Sequence, residues 1–195
     1  MKKLNLLFIS LFFTAVLFIP VFAQDIHYWE DTKHIKVYIP SGHEDAQLMK
    51  RAFNAWETSS RRRIKFTYVT NPQDAQDIIV FKDVFSDGSI GKTTIRPTNV
   101  SVCTAEEKGR KSKGECEKTR VQNVTVITMA SLNPYTMKKI PKGQLYHTAL
   151  HEIGHSLGLN HSTDPKDVMY PTTVNFSMTG ITANDLKALD KIYGW

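Results

Sequence analysis

The feature of this 195-residue sequence that most constrains its fold is the segment 151–161, which places three histidines, a glutamate and a glycine at fixed spacing. On a helix, His151 and His155 lie one turn apart on the same face, where two imidazoles can bind one tetrahedral zinc ion. A third ligand at His161 requires the helix to end first, and Gly158 permits this through a left-handed C-terminal turn. The segment therefore predicts a helix, a sharp turn and a metal-binding loop in succession.

The same segment indicates a catalytic zinc site. Three histidine ligands leave one coordination position open for water, and zinc lowers the pKa of that water to about 7. Glu152, next to the first ligand, can take the proton as the water attacks a carbonyl carbon and can deliver it to the departing amine. Zinc also stabilises the negative charge that develops on the carbonyl oxygen. The pattern predicts peptide-bond hydrolysis; the alternative is a non-enzymatic zinc-binding module for adhesion or polyanion binding.

The first residues predict a secretory signal peptide over 1–23. Lys2 and Lys3 precede an uncharged apolar run, and Ala23 offers a cleavage site where the chain turns polar. Cleavage would leave 24–195 as one exported domain, extracellular or periplasmic, with no stable membrane insertion. The alternative is an uncleaved membrane anchor, because the apolar run approaches the length that spans a bilayer.

Export decides how the two cysteines are interpreted. Outside the cytoplasm, Cys103 and Cys116, which flank a polar segment, predict a disulfide. The alternative is a pair of free thiols, because the sequence does not show that the geometry closes.

The formal net charge of +6 leaves anionic partners open. We interpret the basic run Arg61–Arg63 as a solvated turn, with a functional anion site as the alternative. No aromatic residues that could stack on bases interleave with it, so nucleic acid is not expected as a partner.

Hydrophobic periodicity predicts strands early in the mature chain and most of the helix late, which favours an α+β fold. The predicted strands are 35–39, 64–68, 77–81, 90–96 and 121–129, and the predicted helices are roughly 43–58, one from about 144, and 184–193. The strand 77–81 is a continuous apolar run, which suggests a central strand covered on both faces. No repeat or linker indicates a second domain.

The residues that follow the histidines resemble one protease family. Met169 lies eight residues after His161, and a methionine turn after this histidine pattern is the metzincin signature. Ser162 and the stretch 164–171 are similar to the matrixins, the catalytic domains of matrix metalloproteinases. The resemblance extends to 35–39, 52–56, 77–81 and 181–194, covers essentially all of 25–195, and is most specific over 147–171.

This resemblance implies a twisted five-stranded sheet, mostly parallel with an antiparallel edge strand, packed on about three helices. A protein or peptide substrate would bind extended along the edge strand near 90–96 by β-augmentation. Met169 would form the hydrophobic floor beneath the three imidazoles, and Tyr170 and Pro171 would begin the wall of the primary specificity pocket. We expect one catalytic zinc ion and a monomer.

The sequence also departs from the animal matrixins. No histidine occurs between His43 and His147, so their second, structural zinc site is not expected. Asp83, Asp87 and Gly88 lie where the family often binds calcium, but a short acidic turn is more often only solvated, so we interpret it as a solvated turn with calcium as the alternative. We expect His147, one helical turn before the first ligand, to line or border the specificity pocket, the alternatives being a fourth metal ligand and a surface histidine.

Overall fold

The structure is a computed structural model, and it describes residues 29–102, 118–171 and 180–195. In these residues, five strands form one mixed sheet accompanied by three α-helices. The strands are β1 (Ile35–Tyr38), β2 (Phe66–Val69), β3 (Asp77–Lys82), β4 (Gly91–Val102) and β5 (Lys118–Ala130), and the helices are α1 (Ala46–Ser59), α2 (Lys142–Ser156) and α3 (Ala183–Tyr193). No helix among these residues has both the length and the hydropathy needed to cross a bilayer. The predicted signal peptide and the predicted disulfide Cys103–Cys116 lie outside the described residues and stay predictions.

The topology confirms the predicted fold class. The strand order is β2-β1-β3-β5-β4, with β4 antiparallel to β5 and all other neighbours parallel. The hairpin of β4 and β5 pairs along the whole of β4, from Gly91 to Val102, so these strands extend beyond the predicted 90–96 and 121–129. Pro97 is tolerated inside β4 because an edge strand does not need every backbone donor.

The helices α1 and α2 share one hydrophobic core with the sheet. In α1 the buried residues Met49, Ala52, Phe53 and Trp56 recur at helical spacing and form one apolar face. The indole Nε1 of Trp56 donates a hydrogen bond to the carbonyl oxygen of Leu150 at 2.9 Å. This contact joins α1 to the helix that carries the first two histidines.

The prediction that β3 is covered on both faces is wrong. Ile79 is buried in the core with α1 and α2, whereas Val80 is 40% exposed. Successive side chains of a strand point to opposite faces of the sheet, so Val80 lies on the face opposite the two helices. A continuous apolar run therefore marks a central strand here without marking a two-sided core.

Arg61 and Arg62 form an exposed turn after α1, with φ of 53° and 58°. The guanidinium of Arg63 pairs with Asp190 at 3.0 Å and lies 5.6 Å from the ring of Trp195. This placement agrees with the interpretation of Arg61–Arg63 as a solvated turn.

Helix α3 holds the loop that precedes it through one buried carboxylate. Thr182 and Asp185 form a reciprocal capping box at the start of α3. The carboxylate of Asp185 also accepts hydrogen bonds from the backbone N–H groups of Val168 and Met169, at 3.1 and 3.3 Å. Asp185 therefore fixes the methionine turn against α3.

Asp77 is a fully buried carboxyl group at the start of β3. Burial raises the pKa of Asp77 to about 7, and the hydroxyl of Ser156, which donates to Oδ2 at 3.2 Å, and the nearby hydroxyl of Thr125 offset this only in part. Its other carboxyl oxygen, Oδ1, has no hydrogen-bond partner among the described residues. The charged form of Asp77 is therefore poorly solvated in the folded protein.

Stability should depend on pH through Asp77. Between about pH 4 and pH 7 the folded protein keeps a proton on Asp77 that the unfolded chain has lost, so ionisation costs folding free energy as the pH rises. The free energy of unfolding of an Asp77→Asn variant, minus that of wild type, should therefore be larger at pH 8 than at pH 5. The gain is limited to several kcal/mol, because one pKa unit corresponds to about 1.4 kcal/mol. Urea denaturation of both proteins at both pH values measures this difference, and an equal difference at the two pH values would contradict the assignment.

Candidate active site

The three histidines of the sequence motif meet at one point. His151 and His155 project from the same face of α2, and His161 approaches from the loop that follows. The Nε2 atom of His155 lies 3.1 Å from Nε2 of His151 and 3.2 Å from Nε2 of His161. The structure thus brings together the three residues that the sequence assigns to the metal.

The turn at Gly158 returns the chain to the end of α2. The helix ends at Ser156, and Gly158 has a φ of 90°, the left-handed conformation that the sequence predicts. The N–H of Gly158 donates to the carbonyl oxygen of His155, and the N–H of Leu159 donates to that of Gly154, both at 3.0 Å. These bonds satisfy carbonyl groups at the helix end and direct the following loop toward the imidazoles.

The hydrogen bonds of the imidazoles fit a bound zinc ion. Nδ1 of His151 lies 2.7 Å from the carbonyl oxygen of Val168, and Nδ1 of His155 lies 2.8 Å from that of Leu159. A carbonyl oxygen only accepts, so each Nδ1 carries the proton and each Nε2 presents a lone pair. Lone pairs this close repel one another unless a cation lies between them. Tetrahedral zinc with Zn–N distances of about 2.0–2.1 Å separates its nitrogen ligands by about 3.3 Å, which agrees with the observed spacing.

Burial favours the neutral imidazoles that metal binding requires. It lowers the pKa of His151 to about 4 and also lowers the pKa of His155. Both rings are therefore free of a competing proton on Nε2 near neutral pH.

Glu152 is buried beside the histidines, with 6% of its surface exposed. Burial raises the pKa of Glu152 to about 7, and the hydroxyl of Thr93 on β4, 2.7 Å from Oε2, opposes that rise. A carboxylate with a pKa near the working pH suits a general base.

A cavity of about 310 Å³ lies in front of Glu152. It is bounded by the start of β4, one face of α2 and the end of the methionine turn. The lining residues are Gly88, Ser89, Ile90, Gly91, Thr148, His151, Glu152, Tyr170 and Pro171. Tyr170 and Pro171, which the family resemblance implies begin the wall of the specificity pocket, thus line this cavity, and their pocket role stays a prediction. Residues 172–179, which follow them, are outside the described part of the chain.

A larger cavity, of about 640 Å³, lies between the loop 158–169 and α3. It contacts His161 but not Glu152 or His151. Glu152 and His151 instead lie together on the smaller cavity.

Met169 packs against the helix that carries the ligands. It is 2% exposed, and a Cβ atom added to Gly154 would collide with its sulfur. The carbonyl oxygen of Met169 accepts a hydrogen bond from the N–H of Ser162 at 2.8 Å. The methionine turn is thereby tied to the loop of the third histidine on one side and to α2, next to His155, on the other.

Two sequence predictions remain predictions. His147 is buried, and its Nδ1 has no hydrogen-bond partner among the described residues; the neighbouring Thr148, rather than His147, lines the described cavity. At the proposed calcium site, the carboxylate of Asp87 accepts from the N–H of Ser89 and lies 3.5 Å from the ammonium of Lys92.

Four residues of the site were missed by the sequence analysis. Gly154 had a usable signal, since a glycine inside a helix costs about 1 kcal/mol and usually has a packing reason. Asp185 had one as well, because a threonine three residues before an acidic residue is a capping-box pattern. Gly91 and Thr93 had no such signal, because both meet Glu152 only through the packing of distant parts of the chain. Thr93, for example, is 59 residues from Glu152 in the sequence.

Comparison with known proteins agrees with this geometry. Matrilysin from Homo sapiens is 46% identical over 50 residues, which are 25% of this chain and 19% of that protein. Macrophage metalloelastase from Oryctolagus cuniculus is 40% identical over 52 residues, 26% of this chain and 11% of that protein. A probable matrix metalloproteinase of Invertebrate iridescent virus 3 is 30% identical over 142 residues, 71% of this chain and 35% of that protein.

The chain thus matches about a third or less of the length of each of these relatives. The family model described as Matrixin matches residues 28–194, a range that includes the three histidines, Glu152 and the methionine turn. The chain therefore belongs to the matrixin family of zinc metallopeptidases and contains the catalytic domain of that family.

Proposed function

We propose that this protein is an exported endopeptidase that uses one zinc ion to hydrolyse peptide bonds. The observation that carries the proposal is the convergence of three Nε2 atoms, with one of the three histidines, His151, sharing a cavity with the buried carboxylate of Glu152. Export rests on the sequence of residues 1–23, which has the organisation of a signal peptide.

In this proposal His151, His155 and His161 hold the metal through Nε2. When bound, zinc supplies Lewis acidity that polarises the substrate carbonyl and makes water a better nucleophile at neutral pH. The carbonyl oxygens of Val168 and Leu159 fix the orientation of the first two rings. Loss of such a hydrogen-bond partner typically lowers metal affinity about 10- to 100-fold.

Glu152 moves the proton. Its carboxylate takes a proton from the attacking water as the oxygen of that water bonds to the carbonyl carbon. It then gives the proton to the amide nitrogen while the carbon–nitrogen bond breaks, which releases one carboxylic acid and one amine. The burial of Glu152 keeps competing water away from this transfer.

The substrate would bind as an added strand. β4 is the edge of the sheet, and its outer side pairs with no strand in the described part of the chain. A peptide laid along Gly91 to Arg96 would bond to these backbone groups and pass directly in front of Glu152. The cavity bounded by Tyr170 and Pro171 would take one substrate side chain, and we propose that His147 borders its deeper part.

Cleavage of a diverse peptide library tests this function. We expect the protein spanning 24–195, loaded with one equivalent of zinc, to cut internal peptide bonds, and we expect a chelator to abolish the cleavage because the general base alone activates water poorly. Mass spectrometry of the products identifies the cut bonds. If the zinc-loaded protein cuts no peptide, the function is instead that of a non-enzymatic zinc-binding module.

A further inference from the structure

Strand β4 forms a cradle for the carboxylate of Glu152. Gly91 and Thr93 are alternate residues of the strand, so both face α2. A Cβ atom on Gly91 would lie 2.6 Å from Cγ and 2.8 Å from Oε1 of Glu152, which is closer than real Cβ atoms approach other atoms. The missing side chain at Gly91 therefore makes the space into which the carboxylate fits.

Thr93 makes a directional contact with the same carboxylate. Its Oγ1 lies 2.7 Å from Oε2 of Glu152 and 2.9 Å from the backbone carbonyl oxygen of Glu152. A hydroxyl has one proton to donate and two lone pairs to accept with. Thr93 can therefore donate to Oε2 of the carboxylate while its lone pairs stay free, and the short distance to the backbone carbonyl oxygen keeps its hydroxyl close to α2.

The two carboxylate oxygens of Glu152 have different surroundings. Oε2 is held by Thr93, which is not among the residues that line the cavity. Oε1 lies next to the backbone of Gly91, which does line it. The contact with Thr93 thereby leaves Oε1 as the oxygen available to a molecule in the cavity.

We propose that Thr93 is a positioning residue, which holds Oε2 of Glu152 so that Oε1 faces the cavity and exchanges the proton during hydrolysis. This inference rests on the proposed peptidase function. Over one cycle the proton passes from water to Oε1 and from Oε1 to the amide nitrogen, while Thr93 keeps its own proton. The hydroxyl therefore adds no chemical step and acts only on the place and orientation of the base.

Removal of the hydroxyl should lower turnover without weakening substrate binding. For Thr93→Val, which keeps the branched shape, we expect kcat to fall about 10- to 100-fold, the range for loss of a hydrogen bond to a charged group, with KM changed less than about twofold. Thr93→Ser restores the hydroxyl and should return kcat to within about threefold of wild type. Thr67→Val, the same change at an exposed residue of β2 on the opposite edge of the sheet, is the matched control and should leave both constants unchanged.

A structural readout tests the same inference without activity. Crystal structures of Thr93→Val, metal-free and zinc-loaded, should show Oε1 of Glu152 displaced from its wild-type position, with zinc content unchanged. Should valine prove too disruptive for folding, Thr93→Ala, which adds no atoms, replaces it in both measurements. Wild-type kcat in the valine or alanine variant, or a serine variant as slow as the valine variant, would overturn the inference.

The inference and the proposed function fail in different ways. A wild-type protein that cuts no peptide refutes the peptidase function, while the position of Glu152 in the variant crystals still decides the role of Thr93. If wild type cuts peptides and Thr93→Val cuts them equally fast, the role of Thr93 is refuted while the peptidase function stands.

Discussion

Glu152→Gln is expected to bind zinc as tightly as wild type and to lose about a thousandfold in kcat, within the range of about 10²–10⁴ for a removed general base. Glutamine keeps the size of the side chain and can still occupy the space at Gly91, but its amide cannot take a proton from water. Glu152 is not a metal ligand in our assignment, so zinc content should not change. Peptide hydrolysis under zinc saturation, together with metal analysis of the same sample, measures both quantities.

The matched control for this variant is Glu57→Gln. Glu57 lies on α1 and is partly exposed, so the same loss of one carboxylate there should leave kcat and zinc content at wild-type values. Full activity in Glu152→Gln would refute Glu152 as the proton acceptor. Loss of zinc in Glu152→Gln, with little loss of kcat at saturating metal, would show instead that the side chain supports the metal site.

The parts of the site that the sequence could predict are those determined locally. The helical repeat alone places His151 and His155 on one face, and the freedom of Gly158 to adopt a positive φ predicts the turn that brings His161 back. These interactions span eleven residues, so a period and a turn residue are enough. The strands and helices around them were likewise predicted from local hydrophobic patterns, such as the alternation in 35–39 and the continuous apolar run in 77–81.

The parts that the sequence could not predict depend on contacts between distant elements. Thr93 reaches Glu152 across 59 residues, and only the packing of β4 against α2 creates that contact. The exposure of Val80 is a similar case, because the apolar run of β3 does not show how many layers cover the sheet. Local pattern thus predicts the metal ligands, while tertiary packing decides how the base beside them is held.

Gly154→Ala should damage both the fold and the metal site. The added Cβ would collide with the sulfur of Met169 inside a packed core, and it would also lie 3.2 Å from a ring carbon of Trp56. We expect the free energy of unfolding to fall by about 1–3 kcal/mol or more. A displaced Met169 also moves the adjacent carbonyl group of Val168, which orients His151, so zinc affinity should fall about 10- to 100-fold.

Gly143→Ala provides a matched control in the same helix, because a Cβ added there meets nothing within 4 Å. Alanine is the better helix former, so this variant should be equal to wild type or more stable by up to about 1 kcal/mol, with unchanged zinc affinity. Thermal denaturation of the metal-free proteins and competitive zinc titration separate the two effects. Equal behaviour of the two glycine variants would mean that helix propensity, and not the close packing of Gly154 on the methionine turn, governs the effect.

A double variant tests the same contact. Because the cost at Gly154 comes from contact with Met169, the double variant Gly154→Ala/Met169→Ala should recover part of the zinc affinity that Gly154→Ala alone loses.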